Sequence, residues 1–278
     1  MIKDYSKVIS EIRKSLKTYL LENNLKSLIL GVSGGMDSAL VAALAKPVCD
    51  ELNIPIIGRS LTIESNKQDE IDRAKAIGKS FCHDFKDLNL GIIYNSVKLM
   101  DVIDESVVDD SDIKFHKIKL GNMKARTRMI YLYNLAYKTK GLVLSTDNYT
   151  EYLEGYWTLH GDCGDYGMIQ ELWKTEVYDM GEWLCDNELT GVAKKALWSC
   201  IVCNATDGLG ITNSDLDQLL PGWTGSSRDG YKVVDNILIN YLDNNEGDKD
   251  NPVISRMLRT GFKRENPLNL KRKDIVKE

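Results

Sequence analysis

The most constraining feature of the sequence is a junction. Leu28, Ile29 and Leu30 form a short apolar run that ends in the glycine-rich string Gly31-Val32-Ser33-Gly34-Gly35-Met36-Asp37-Ser38. An apolar run without alternation, closed by a turn signal, reads as a strand buried on both faces. Apolar residues at helical spacing follow from Asp37 to Leu52. The alternation then repeats. Ile54–Leu61 reads as a second strand, and Asn66–Lys79 as a helix with Ile71, Ala74 and Ile77 on one side. A short third strand is expected near Cys82–Phe85, a helical pattern over Gly91–Ile103, a long amphipathic helix over Met123–Lys138 and a further strand over Gly141–Asp147. Apolar strands alternating with helices predict an α/β fold. It is a three-layer sandwich, Rossmann-like, with a parallel sheet covered on both faces.

Ligands of such sheets bind beyond the carboxyl ends of the strands. Two polar clusters fall at predicted strand ends, Ser33–Ser38 and Ser145–Glu151, on one edge of the sheet. Backbone N–H groups of a glycine-rich turn, and the helix N-terminus behind it, suit a phosphate. Ser33 and Ser38 add hydroxyl donors. A strand-to-helix turn with a capping Ser or Asp is the structural alternative. No lysine follows the glycines as in the G-x-x-x-x-G-K-[ST] loop, and the G-x-G-x-x-G turn is absent too. Asp37 beside phosphate is repulsive unless a cation intervenes, which points to Mg²⁺. Glu151, about one helical turn past Thr146 and Asp147, either faces Asp37 across that cation or is a solvated helix residue. Arg126 and Arg128, two apart on a helix, face different ways. One can anchor an anion while the other meets solvent.

Composition narrows the classes. The chain is 43% hydrophobic and 28% charged, with a formal charge of -5, as in ordinary globular proteins. A broad nucleic-acid surface is not expected from that balance. Nothing approaches the roughly 18–20 apolar residues of a membrane span. The first residues mix charge into an amphipathic helix (Ile2, Tyr5, Ile9, Ile12, Leu16) and do not read as a signal peptide, so a cytoplasmic protein is expected. Six cysteines do not make a disulfide scaffold in a chain of this size. Cys200-x-x-Cys203 lacks the second pair that a closed zinc site needs. Thr206–Thr212 and Pro221–Gly230 are turn-rich, Gly230–Leu242 looks helical, Asn244–Asn251 reads as a polar linker, and the end is basic.

The SGGMDS string resembles the pyrophosphate-binding loop of ATP pyrophosphatases. The wider set resembles the NAD synthetase family over nearly the whole chain. It comprises NMKARTRM (122–129), STDNYTE with GYWTLHGD (145–162), LWKTEVYDMGEWL (172–184), TDGLGITNSDLDQL (206–219) and RTGFKRENP (259–267). The resemblance implies an adenine nucleotide alpha-hydrolase-like fold in a single domain. That domain would hold an N-terminal helix (1–24), a core (about 25–190) and a helical C-terminal part (about 191–278). It implies a homodimer that turns deamido-NAD, ATP and ammonia into NAD, AMP and diphosphate through an adenylate. It assigns Gly31–Ser38, Thr146, Lys174 and Thr206 to ATP, and Asp37 and Glu151 to Mg²⁺. Arg126, Asp162, Asp165 and Lys263 go to deamido-NAD, with Asp37 and Asp162 catalytic. Four departures accompany it: GDCGDYG replaces the family's GDGGxD, Phe262 replaces a histidine, the loop region near Thr206 is short, and the Pro221–Gly230 loop is unusual. The stretch of about thirty residues before the phosphate loop leaves no room for an amidohydrolase domain, so free ammonia is the expected nitrogen donor. The alternatives are a tRNA-thiolating ATP pyrophosphatase, suggested by Cys200 and Cys203, and a non-catalytic adenine-nucleotide-binding protein.

Overall fold

Each central strand buries both of its faces, and the alternation of side chains decides which residue meets which layer. The computed structural model describes residues 1–64, 66–100, 113–206, 214–244 and 246–276. Its strands are β1 (Ser27–Gly31), β2 (Ile56–Thr62), β3 (Asp84–Asn89), β4 (Gly141–Ser145) and β5 (Tyr166–Gly167). They form one sheet in the order β3-β2-β1-β4-β5, and every pairing is parallel. Leu28 and Leu30 of β1 point into one core, with Leu142 and Leu144 of β4. Ile29, between them, points into the other, with Ile57 and Val143.

The first core lies under α1 (Tyr5–Glu22), α2 (Met36–Leu52), α3 (Gln68–Phe81), α7 (Lys174–Asn187) and α8 (Gly191–Ile201). Helix α2 is buried nearly all round, from Met36 through Ala45 apart from half-buried Asp37. That suits a helix enclosed by others rather than one with a solvated face. The second core is covered by α4 (Gly91–Lys98) and α5 (Ile113–Thr139), which presents Met129, Leu132 and Ala136 to the sheet. The remaining elements are α6 (Tyr149–Glu154), a 3₁₀ turn (Asp215–Gln218), α9 (Ser227–Asn244), α10 (Pro252–Arg259), α11 (Gly261–Arg264) and α12 (Arg272–Ile275). Helix α9 packs on α7 and α10, and α10 on α6.

Several expected boundaries move. The third strand lies at Asp84–Asn89 because the Cys82 N–H still donates to Gly78 O and closes α3. It is an edge strand with exposed Lys86 and Asp87, so it lacks the apolar run that marks β1. Helix α5 starts ten residues before the predicted Met123. Helix α4 ends at Lys98, and the last part of the expected 91–103 helix lies outside the described residues. So do 207–213, most of the Thr206–Thr212 loop, and Asn245 of the predicted linker. Helix α9 begins at Ser227, three residues before the predicted start, and absorbs the end of the Pro221–Gly230 loop. No described helix is long and apolar enough to cross a membrane.

Candidate active site

Because the strands are parallel and share register, the loops after β1, β2 and β4 open on one edge. They border a cavity of about 460 Å³. The glycine loop forms one wall. Gly35 is the N-cap of α2, and Asp37 stands in that helix's first turn. Gly34 has φ +84°, and a Cβ there would lie 2.2 Å from Glu70 O on α3. Its glycine is therefore required by the approach of α3 as well as by the turn. The loop serines serve the loop itself. Ser33 Oγ and Ser38 Oγ are 3.0 Å apart, Gly35 N donates to Ser33 Oγ, and Ser33 N donates to Ser38 Oγ. Ser38 is buried and, like Gly34, does not line the cavity, whereas Gly31, Val32, Ser33, Gly35, Met36 and Asp37 do. The expected outward donor at Ser38 is thus replaced by an internal brace.

The charged centre joins three segments. Lys174, the first residue of α7, places Nζ 2.5 Å from Asp37 Oδ2 and 2.8 Å from Glu151 Oε1. Asp37 Oδ1 also accepts from Asn148 Nδ2 at 2.9 Å, and the Asn148 side chain caps α6 by accepting from Glu151 N. Burial opposes charge on Lys174, but the two carboxylates prevail and hold its ammonium well above the usual lysine range. Burial, then the nearby Asp37 charge, pushes the Glu151 carboxyl up to about 8. Glu151 therefore keeps its proton at neutral pH, and ionising both carboxylates against one ammonium would leave the centre a positive charge short. That deficit, with oxygen donors from two elements, fits a hard divalent cation that takes its other ligands from phosphate and water. Glu151 is half-buried and faces Asp37 across the Lys174 ammonium, so it is not a solvated helix residue.

Further along the cavity lie Thr146, Asp147 and Asp162. Burial, followed by repulsion from Asp162, pushes Asp147 up to about 7, while its Oδ2 accepts from Ser145 Oγ at 3.1 Å. Asp162 accepts from Thr158 N at 2.7 Å, and burial pushes it up to about 6. Lys263 closes this end, its Nζ bonded to the carbonyls of Gly155 and Trp157 and 4.9 Å from the Trp157 ring centre. Burial lowers its pKa to about 8. On the opposite side Thr206 Oγ1 donates to Glu70 Oε1 at 2.7 Å.

Two sequence candidates lie elsewhere. Arg126 is exposed, donates from Nε to Leu159 O, and is not part of the cavity wall. Its neighbour Arg128 lines the wall, half-buried, with Nε on Leu61 O and Nη2 on Asn66 Oδ1. Asp165 is also exposed. It accepts from Val143 N and from Tyr133 OH, fastening the middle of β4 to α5. Cys200 donates to Gly34 O behind the phosphate loop, and Cys203 donates to Cys200 O and faces the cavity. Sequence reasoning also passed over Arg59, Glu70, Tyr156 and Arg256, which line the cavity, and Asn148 and Asp235, which brace it. Of these, only Asn148 carried a local signal, lying directly before a predicted helical turn.

A doubly covered parallel sheet, with a glycine loop and a Lys–carboxylate centre at its carboxyl edge, defines an α/β nucleotide-binding protein. The sequence model of the NAD synthase family matches residues 8–267, and the chain belongs to that family. It is 35% identical over 237 residues to the NH(3)-dependent NAD(+) synthetase of Thermococcus sibiricus, covering 84% of this chain and 82% of that protein. The solved NMN synthetase of Francisella tularensis shares the fold, with TM-score 0.75, 20% identity, and coverage of 98% of this chain and 100% of that one. So does the NH3-dependent NAD synthetase of Campylobacter jejuni in complex with the nitrate ion, with TM-score 0.66, 22% identity, and coverage of 96% and 100%.

Proposed function

We propose that this chain is an ammonia-dependent NAD synthetase, a ligase that joins nitrogen to an activated carboxyl. The observation that carries the reading is the Asp37–Lys174–Glu151 centre at the mouth of the glycine loop, with its lysine buried between two half-buried acids, in a chain of this family. The nicotinate carboxylate of deamido-NAD is a poor acyl donor at neutral pH. Its oxygen attacks the α-phosphorus of ATP and expels diphosphate, giving an acyl adenylate. Ammonia then adds to the carbonyl carbon, loses a proton and expels AMP.

The residues divide this work. Gly31, Val32, Ser33, Gly35 and Met36 line the phosphate end, with Gly34 and Ser38 shaping the loop from behind. Thr146 and Thr206 flank ATP. Lys174 brings its charge to the phosphates as negative charge develops on the departing diphosphate. Asp37 and Glu151 would hold Mg²⁺, which when bound neutralises phosphate charge and fixes the triphosphate geometry. Asp162, with Asp147 beside it, accepts the proton that the incoming ammonia sheds. Lys263 meets the dinucleotide from the C-terminal side. Arg126 and Asp165 lie outside the cavity and would reach deamido-NAD only where it extends past the cavity mouth.

An exposed apolar stripe on α5, Ile130, Tyr133 and Tyr137, is the surface we assign to a homodimer, and sedimentation mass tests it. We further propose that the segments 1–24, 25–190 and 191–278 work as one unit in the cytoplasm, where ATP is made available, with no nucleic-acid or membrane partner. The deciding assay supplies ATP, Mg²⁺ and deamido-NAD with ammonium or glutamine and follows NAD and AMP together. Equal NAD and AMP with ammonium, and little of either with glutamine, supports the reading. ATP binding without NAD from either donor removes it and returns the tRNA-thiolating and non-catalytic readings.

A further inference from the structure

Helix α9 does not line the cavity, yet it grips the residue at the cavity's electrostatic centre. Helix α7 starts at Lys174, so the N–H groups of its first turn have no acceptors within the helix. The residue before it is Trp173, which offers no side-chain cap. The acceptors come from two other helices. Lys174 N donates to Thr150 Oγ1 at 2.9 Å, and Thr150 Oγ1 donates to Asp235 Oδ1 at 2.6 Å. Thr175 N donates to Asp235 Oδ2 at 2.8 Å. Thr150 is 0% and Asp235 1% exposed. A buried carboxyl is tolerated only when it is hydrogen-bonded, and this one caps a helix N-terminus from outside the helix. Tyr231, one turn earlier on α9, places its ring centre 5.3 Å from Lys174 Nζ. The ammonium of Lys174 therefore meets α9 directly, and its backbone meets α9 through Thr150 and the adjoining Thr175 N–H.

We propose that Asp235 is a positioning residue: it ties the first turn of α7 to the first turn of α6, so that Lys174 and Glu151 meet Asp37 in one geometry. The inference rests on the synthetase reading and deepens it. Thr150 precedes Glu151, so a single carboxyl sets two members of the centre at once. A helix in the C-terminal part thereby governs the ATP half of the reaction without touching ATP.

The test is a double-mutant cycle on the full chain. Asp235→Asn puts an amide NH₂ where one of two donors now finds an oxygen. The expected result is a fall in kcat of roughly 10–100-fold, since displacements of about 1 Å cost that much. ATP affinity falls with it, while KM for deamido-NAD stays within about twofold, a split that general unfolding would not produce. In a Lys174→Ala background, Asp235→Asn should add clearly less than it costs in the wild type, because one of its two routes to the centre passes through Lys174. Thr150→Val should reproduce the loss and Thr150→Ser should restore it, which keeps the test open if Asp235→Asn folds poorly. Full-sized losses from Asp235→Asn in both backgrounds, or equal losses of both substrates, would overturn the proposal. Absence of NAD formation by the wild type overturns the synthetase reading instead. The same cycle read by ATP titration calorimetry then still decides the role of Asp235.

Discussion

The two ends of the cavity solve the problem of buried charge in opposite ways. At the phosphate-loop end, charges meet charges: Lys174 lies between Asp37 and Glu151, and Asn148 holds the far oxygen of Asp37. At the other end, cations rest on carbonyls and aromatic faces. Lys263 bonds the Gly155 and Trp157 carbonyls, and the Arg256 guanidinium lies 3.9 Å from the Tyr156 ring centre while donating to Glu154 O and Gln218 Oε1. The first arrangement fixes a charge state that a cation and phosphates can adjust. The second keeps its cations on carbonyls and rings, with no carboxylate in hydrogen-bond contact with Lys263 or Arg256 among the described residues, so their charge can turn to an anionic ligand.

Removing a member of the first centre is expected to have the largest effect. Asp37→Ala strips an acceptor from both Lys174 and Asn148, and NAD formation should fall by about 10³-fold or more. Normal Mg²⁺-dependent turnover by that variant would remove the metal assignment and, with it, one side of the contrast. At the second end the expected effect is on affinity. Lys263→Met should raise KM for deamido-NAD by roughly tenfold, the scale of one lost charge contact, and leave ATP affinity nearly unchanged. Its pKa near 8 sharpens the test. As pH rises through 8 the wild type loses this positive charge, so KM for the anionic dinucleotide should climb, while the Met variant stays flat. Arg126→Ala, at an exposed position, should raise that KM by only a few-fold. Equal losses for deamido-NAD and ATP would end its assignment to the dinucleotide.

The same contrast separates what the sequence made legible from what it hid. The phosphate loop and the Thr146–Glu151 cluster are contiguous strings at strand ends, so local pattern sufficed to place both on one edge. Lys174 came from the family resemblance, and nothing local announces that it reaches Asp37. Asp235 sits on an amphipathic helix and looks like any polar residue there; only the docking of α9 on α7 gives it Thr150 and Thr175 as partners. The Arg126–Arg128 pair shows the limit of periodicity. Spacing said that the two face apart, and the depth of α5 against the sheet decided that Arg128 faces the cavity. Strand β5 is two residues long, too short for any pattern, and exists because β4 offers it an edge. The Gly34 requirement was assigned to phosphate, yet part of it belongs to α3, which passes too close for a side chain.

The smallest expected effect on activity comes from behind the second end, at Glu154. Its side chain is 0% exposed, and neither carboxyl oxygen has a hydrogen-bond partner among the described residues. Arg256 Nε is 3.9 Å away, close enough to attract and too far to bond. Burial pushes the carboxyl up to about 8 against the attraction of Arg256 and Arg264, so at neutral pH the folded protein keeps the proton. The unfolded chain releases that proton near the ordinary glutamate value of about 4.3. Between those two pH values the native state binds more protons than the unfolded state, so this group's contribution to stability declines as pH rises. Glu154→Gln keeps the shape of the neutral acid and cannot ionise. The variant and the wild type should therefore melt together at pH 4 and diverge in favour of the variant towards pH 8, with NAD formation unchanged. A wild type that gains stability relative to Glu154→Gln as pH rises would mean that Glu154 is ionised and paired with Arg256. The second end would then neutralise its charge as the first does, and the contrast between them would fail.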